Sequence, residues 1–143
     1  MPGLIKNTEI FCVEDDTDFA FFMETAVLEL KEVSTIQIID NGNDALRILR
    51  VLATDKLKPR LILLDLNLPG ISGIDILKEI SDIPFLRYVP VILFSTSDNP
   101  KDMERSLEFG ANSYVTKPNS YVDLIVCLQS FSDFWLHQHA NLN

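Results

Sequence analysis

Five short apolar runs, each followed by a helical repeat, predict an α/β domain built on one parallel sheet with helices on both faces. Three observations carry that prediction. The runs do not alternate polar with apolar, which suits parallel strands buried on both faces, and Leu61–Leu64 carries no polar residue at all. The segments between them repeat apolar residues at three and four. Chemically active residues follow several runs immediately, where ligands of open parallel sheets bind.

The runs are Ile10–Val13, Thr35–Ile39, Leu61–Leu64, Val91–Phe94 and Ser113–Thr116, the last being the weakest. A first helix is predicted on Phe19, Phe22, Met23, Ala26, Val27 and Leu30, and a second on Ala45, Ile48, Leu49 and Leu52. Leu77 and Ile80 mark a third. Met103, Ser106 and Leu107 mark a fourth, with Asn99-Pro100 as its start and Gly110 as its stop. The fifth carries a stripe of Tyr121, Leu124, Ile125, Leu128, Phe131 and Trp135. Val122, Val126, Phe134 and Leu136 fall off that stripe and are expected to face solvent, as partner sites often do.

Composition bounds the function. The chain has 143 residues, 47% hydrophobic and 23% charged, enough for a packed core without disulfide staples. One domain is expected over residues 1–143, with its core at about 8–137 and no attached output domain. Twenty-one acids against 12 bases give a net charge of −9, which argues against nucleic acid as a partner. No apolar run approaches the ~20 residues a membrane span needs, and no signal-peptide pattern opens the chain, so the expected location is the cytoplasm. Cys12 and Cys127 sit among apolar residues and read as buried hydrophobes; His137 and His139 read as a solvated tail.

After the first run come Glu14, Asp15 and Asp16; after the third, Asp65; after the fourth, Ser95, Thr96 and Ser97; after the fifth, Lys117 and Pro118. Carboxylates brought close together need a cation, and Mg²⁺, a hard ion that takes oxygen ligands, suits them. A lysine and a hydroxyl beside them would hold a transferable phosphoryl group, with a carboxylate as nucleophile. Each element also has a plain reading. Acids before a helix cap it, and Asp16 is expected to do only that. Lys117-Pro118 would serve equally as a surface turn.

Four motifs occur in order: Val-Glu-Asp-Asp at 13–16, Leu-Leu-Asp-Leu-Asn-Leu-Pro-Gly at 63–70, Pro-Val-Ile-Leu-Phe-Ser-Thr-Ser at 90–97 and Gly-Ala-Asn-Ser-Tyr-Val-Thr-Lys-Pro at 110–118. With them the chain resembles the receiver domain of two-component response regulators. The resemblance implies a flavodoxin-like sheet of strand order 2-1-3-4-5. It implies Asp65 as phospho-acceptor, and Mg²⁺ held by Glu14, Asp15, Asp65 and the backbone carbonyl of Asn67. It implies Lys117 as the lysine at the phosphoryl group, its bond to Pro118 cis, and Tyr114 as an aromatic switch. The switch hydroxyl is Ser95 or Thr96. Asn119 stands where the family often has Phe.

On that resemblance the chain takes a phosphoryl group from a histidine kinase, hydrolyses it slowly, and acts as a switch rather than an enzyme. The stretches Leu-Asp-Leu-Asn-Leu-Pro and Ser-Asp-Phe-Trp-Leu are most similar to stand-alone regulators paired with phytochrome-type kinases. A homodimer is expected through the face of the fourth helix, fifth strand and fifth helix, involving Val126 and Phe134. Three rivals fit less well. A phosphatase would want an acid at position 67, which is Asn; a pseudo-receiver would lack an acid or the lysine; a flavin site would want a phosphate-cradling loop after the first run.

Overall fold

The computed structural model describes residues 8–32 and 34–140. The order is β1 (Ile10–Val13), α1 (Thr17–Val27), β2 (Ile36–Ile39), α2 (Gly42–Thr54), β3 (Leu61–Leu64), α3 (Gly73–Ser81), β4 (Val91–Ser95), α4 (Pro100–Glu108), β5 (Ser113–Thr116) and α5 (Tyr121–Phe131). A 3-10 turn, Pro84–Leu86, precedes β4, and a π-helical segment, Ser132–Gln138, continues α5. Each helix starts where a side chain caps its free N–H groups: Asp16, Asn41, Ser72, Asn99 and Ser120 in turn. Asp16 accepts from the N–H groups of Asp18 and Phe19, the capping role its position suggests.

All five strands are parallel, in the order β2-β1-β3-β4-β5. Side chains alternate across the sheet, so each strand feeds two cores. Phe11, Val13, Ile62, Leu64, Val91 and Leu93 pack under α2 and α3. Ile10, Cys12, Leu61, Leu63, Ile92 and Phe94 pack under α1 and α5. Register makes the carboxyl ends nearly flush: Val13 lies opposite Leu64, Leu64 opposite Leu93, and Phe94 opposite Val115. Continuing the alternation puts Glu14 and Asp65 on the α1/α5 side, in phase with Cys12 and Leu63. Ser95 falls on the other side, in phase with Leu93.

Glycine is required at two places on this edge. Gly70 has φ +75°, which closes the Pro69-Gly70 turn after β3. A Cβ on Gly73 would lie 2.3 Å from the Asp65 carbonyl oxygen, so only glycine lets α3 start this close to the nucleophile candidate.

The predicted strands stand to within a residue, while three helical expectations and one peptide bond need correction. Phe22 and Leu107, placed on core stripes, are exposed. On α1 the core needs only Met23, Ala26 and Val27, and the Phe22 ring packs sideways on Tyr121, 6.2 Å between centroids. On α4 the one buried residue is Ser106. Leu136, expected in solvent, is 1% exposed. The cause is the π segment: its wider turn rotates the chain less per residue, so beyond Phe131 the phase lags and Leu136 comes inward while Phe134 stays out. The guanidinium of Arg60 donates to the Leu136 carbonyl and ties this segment to the start of β3. Finally, Lys117–Pro118 is trans, like every peptide bond among the described residues. Trans is the favoured X-Pro isomer by about 0.5–1 kcal/mol, and the Lys117 ammonium reaches its partners from it.

The inward turn of Leu136 gives a contrast. Leu136→Ala is expected to cost about 2–5 kcal/mol of stability, as buried leucine truncations do. Phe134→Ala, on the adjoining exposed position, is expected to cost about 0.5 kcal/mol or less. Urea unfolding of the two variants checks it.

Candidate functional site

The central strand of the sheet and its neighbour β1 both end in acids. β1 runs into Glu14, which is 2% exposed, and β3 into Asp65, 8% exposed. Asp15 stands next to Glu14 but in solvent. One carboxylate oxygen from each of the three lies within 4.8 Å of the others. β5 delivers Lys117 from the far side. Its ammonium donates to Glu14 Oε1 at 2.5 Å and to Asp65 Oδ2 at 3.3 Å. The same nitrogen lies 4.5 Å from the centroid of the Phe19 ring, which closes the site on the α1 side.

Burial and charge compete here. Burial, and then the nearby Asp65 carboxylate, push the Glu14 carboxyl up to about 8, against the pull of Lys117. Burial opposes the charge on Lys117, but Glu14 and then Asp65 outweigh it and raise the pKa above the usual lysine value. The Cys12 thiol is driven upward by burial and then by Glu14, so it is an inert hydrophobe, as its setting in β1 suggests.

The donor set fits a hard divalent cation. It is all oxygen, one of its carboxylates faces solvent, and Glu14 Oε2 is buried with no hydrogen-bond partner. A bound cation, or a water on it, would satisfy that orphaned atom. Asn67 is exposed in the loop after β3, and its backbone N–H donates to Asp65 Oδ1 at 3.3 Å.

The remaining sequence candidates lie around this centre. Ser95 is fully buried at the end of β4, its hydroxyl accepting from the Ser97 N–H at 3.2 Å. Thr96 is exposed. Tyr114 is half-buried, and its hydroxyl donates to the Ser97 carbonyl at 2.8 Å. Val126 and Phe134 are exposed on α5 and the π segment, away from the carboxylates. Sequence reasoning missed Phe19, which reads as an ordinary stripe residue, and Gly73, whose role depends on a close approach that spacing alone does not reveal.

A doubly wound sheet with a buried carboxylate, two flanking acids and a lysine at its carboxyl edge defines a phospho-accepting α/β domain. Comparison with known proteins agrees. Residues 10–129 match the response regulator receiver domain, and the chain belongs to that family, the phospho-accepting domains of two-component signalling. It is 33% identical over 128 residues to the probable methanogenesis regulatory protein FilR2 of Methanothrix harundinacea, covering 89% of this chain and 83% of that protein. It is 43% identical over 79 residues to the response regulator Rcp1 of Synechocystis, an alignment spanning 55% of this chain and about half, 54%, of Rcp1. The structure of phosphorylated RcpA, a cyanobacterial phytochrome response regulator, superposes with a TM-score of 0.84 at 31% identity, over 94% of this chain and 97% of that one. Mn²⁺-bound Rcp1 superposes with a TM-score of 0.81, also at 31% identity, over 94% and 98%. The strand order and the family read from the four motifs both stand.

Removing the shared cation exposes the balance at this site. Lys117→Met leaves Glu14 and Asp65 buried without a counter-charge, expected to cost up to about 3–5 kcal/mol. Burial then makes the Glu14 carboxyl hold its proton more tightly in the folded chain than in the unfolded one. Stability therefore falls as pH rises, and the cost is expected to be larger at about pH 8 than at about pH 5. Urea midpoints of wild type and variant at the two pH values, without divalent cations, measure it.

Proposed function

We propose that the chain accepts a phosphoryl group on Asp65 from the phosphohistidine of a histidine kinase and thereby switches its contacts with other proteins. The observation that carries this reading is the Asp65 carboxylate held against the Lys117 ammonium and within 4.8 Å of the acids Glu14 and Asp15. An Asp65 oxygen attacks phosphorus, the P–N bond to the kinase imidazole breaks, and that imidazole leaves with the electron pair. Hydrolysis by water later returns the carboxylate and releases phosphate slowly. Lys117 would turn from Asp65 toward the new phosphoryl oxygens, and the hydroxyl of Ser95, with Thr96 at the mouth of the site, would meet them as they arrive.

Mg²⁺ would be held by Asp15 and Asp65 directly, by Glu14 through water, and by the Asn67 carbonyl; when bound it neutralises charge on the phosphoryl oxygens. The Mn²⁺-bound relative supports a cation at this edge. The phytochrome-associated relative supports a phytochrome-type kinase as donor. Among the described residues no helix is long and apolar enough to cross a membrane.

A phosphodonor experiment tests the reading. With Mg²⁺ and acetyl phosphate, the wild type is expected to gain an acid-stable, base-labile adduct on Asp65, located by peptide mass. Asp65→Asn is expected to gain none, Asp15→Ala to lose the Mg²⁺-dependent part, and Glu14→Gln to show a milder loss. Wild-type label on Asp65→Asn would refute it.

The exposed Val126 and Phe134 support a homodimer through the α4-β5-α5 face. Sedimentation is expected to show a dimer that the double change Val126→Asp and Phe134→Asp dissociates, more clearly in the phosphorylated protein. A monomer in every state would refute the dimer alone.

A further inference from the structure

The ring of Phe19 stands between two spaces of opposite character. On one side is a gap too small for a water molecule, walled by Cys12, Leu63, Phe94, the acids Glu14 and Asp65, and Lys117. On the other is an open cavity of about 360 Å³ where α5 begins, lined by Phe22, Pro118, Asn119, Ser120, Tyr121 and Leu124. Phe19 is the residue common to both linings. It sits half-buried in the first turn of α1 and leans on the buried Phe94 ring, 5.7 Å between centroids. Phe94 leans in turn on Phe131 at 5.6 Å. The Phe19 ring is thus held from behind, and the Lys117 ammonium lies over it, 4.5 Å from its centroid.

An ammonium has three N–H donors and no acceptor. Glu14 and Asp65 accept from this one, and no third hydrogen-bond acceptor meets it among the described residues. Its remaining partner is the electron-rich face of Phe19. These partners respond differently when a phosphoryl group arrives. The Asp65 oxygen that bonds phosphorus gives up its charge, so the pull of that carboxylate on Lys117 weakens and the ammonium moves toward the phosphoryl oxygens. A carboxylate oxygen holds an ammonium at one point. A ring face attracts it over an area, so the Phe19 contact survives a shift of about an ångström. The ring also bars water from the α5 cavity, and the Lys117 side chain is only 8% exposed. Water on the ammonium would compete with the phosphoryl oxygens and have to be stripped away first; a ring face asks for no such removal.

We propose that Phe19 is a positioning residue for phosphoryl transfer: its π face keeps the Lys117 ammonium dry and free to slide from Asp65 to the incoming group. The proposal rests on the reading of Asp65 as phospho-acceptor. The plain alternative is that Phe19 only fills space beside Phe94. Shape and charge distribution can be separated, because fluorine drains the negative face of the ring while nearly preserving its size. A space-filling role is blind to that change, and a cation held on the face is not. Such a cation is worth a factor of about two to five where water reaches it, and more where water is excluded.

The test uses the full chain carrying 4-fluoro-, 3,5-difluoro- or 3,4,5-trifluorophenylalanine at position 19, together with Phe19→Leu. Rates of phosphate incorporation on Asp65 from acetyl phosphate and Mg²⁺ are read by mass, and urea midpoints report on the fold. The rate is expected to fall stepwise with added fluorine, by about two- to fivefold over the series, at an unchanged midpoint. Phe19→Leu is expected to be slowed at least as much. A second reading is the Lys117 ammonium resonance of the unphosphorylated chain in ¹⁵N NMR, which is visible only while its protons exchange slowly with water. It is expected in the wild type and lost in Phe19→Leu. Equal rates across the fluorinated series overturn the proposal even if Phe19→Leu is slow, because packing then accounts for the residue. A wild-type ammonium in free exchange with water overturns it as well. Should Phe19→Leu fold poorly, the fluorinated rings still decide. Absence of incorporation in the wild type overturns the reading of Asp65 instead, and measuring the wild type first separates the two failures.

Discussion

A single ammonium group shared by two buried carboxylates governs this molecule. Lys117 comes from β5 at one edge of the sheet, while Asp65 comes from the central strand β3 and Glu14 from its neighbour β1. Three strand ends therefore have to arrive at one height before the site exists, and the parallel register delivers them there. A buried ion pair of this kind adds little net stability, because each charge loses its water. One positive charge also leaves the acids in excess. That excess would repel a phosphoryl dianion, so the acids make functional sense only together with a cation, which the orphaned Glu14 oxygen and the exposed Asp15 are placed to meet.

The alternation of the strands divides the labour. Glu14 and Asp65 are in phase with Cys12 and Leu63, on the core shared by α1 and α5. Ser95 is in phase with Leu93, on the core shared by α2 and α3, and Tyr114 packs against that same core. Charge is thus gathered on one side of the sheet and hydroxyl groups on the other. A group bound at the edge touches both sides at once, so a chemical event on one side is felt by packing on the other.

Most of this architecture is legible in the chain because burial on both faces leaves an unmixed apolar run. Leu61–Leu64 has no polar residue and is fully buried, and Asp65 directly after it stands out for that reason. The weaker β5 was still legible, because Lys117-Pro118 ended it. What escaped the reading depends on contacts without a period. Phe22 and Leu107 keep helical spacing but lie on faces the core does not reach. Leu136 departs from a constant helical period because it lies in a segment where the turn widens. Gly73 is dictated by the backbone of Asp65, 2.3 Å from where its side chain would begin, and no local pattern reports that.

The two halves of the sheet edge also differ in how firmly they are held. α2 buries Ala45, Leu46, Ile48, Leu49 and Leu52, and α3 buries Ile74, Ile76, Leu77 and Ile80. α4 buries only Ser106, and its apolar Leu107 lies in solvent. A polar contact, the Ser97–Asp102 bond, ties its first turn to the loop after β4, while the Asn99 cap and the Ser106 hydroxyl bond within the helix itself. Segments with few buried apolar contacts are the ones that open or shift at least cost. A switch needs such a segment beside its chemical site, and needs the rest of the sheet to stay fixed so that the site keeps its geometry. The sequence meets both needs with one economy. It withholds buried apolar residues from the helix after β4 and concentrates them in the helices after β2 and β3, so the helix that follows the hydroxyls of β4 is the compliant one.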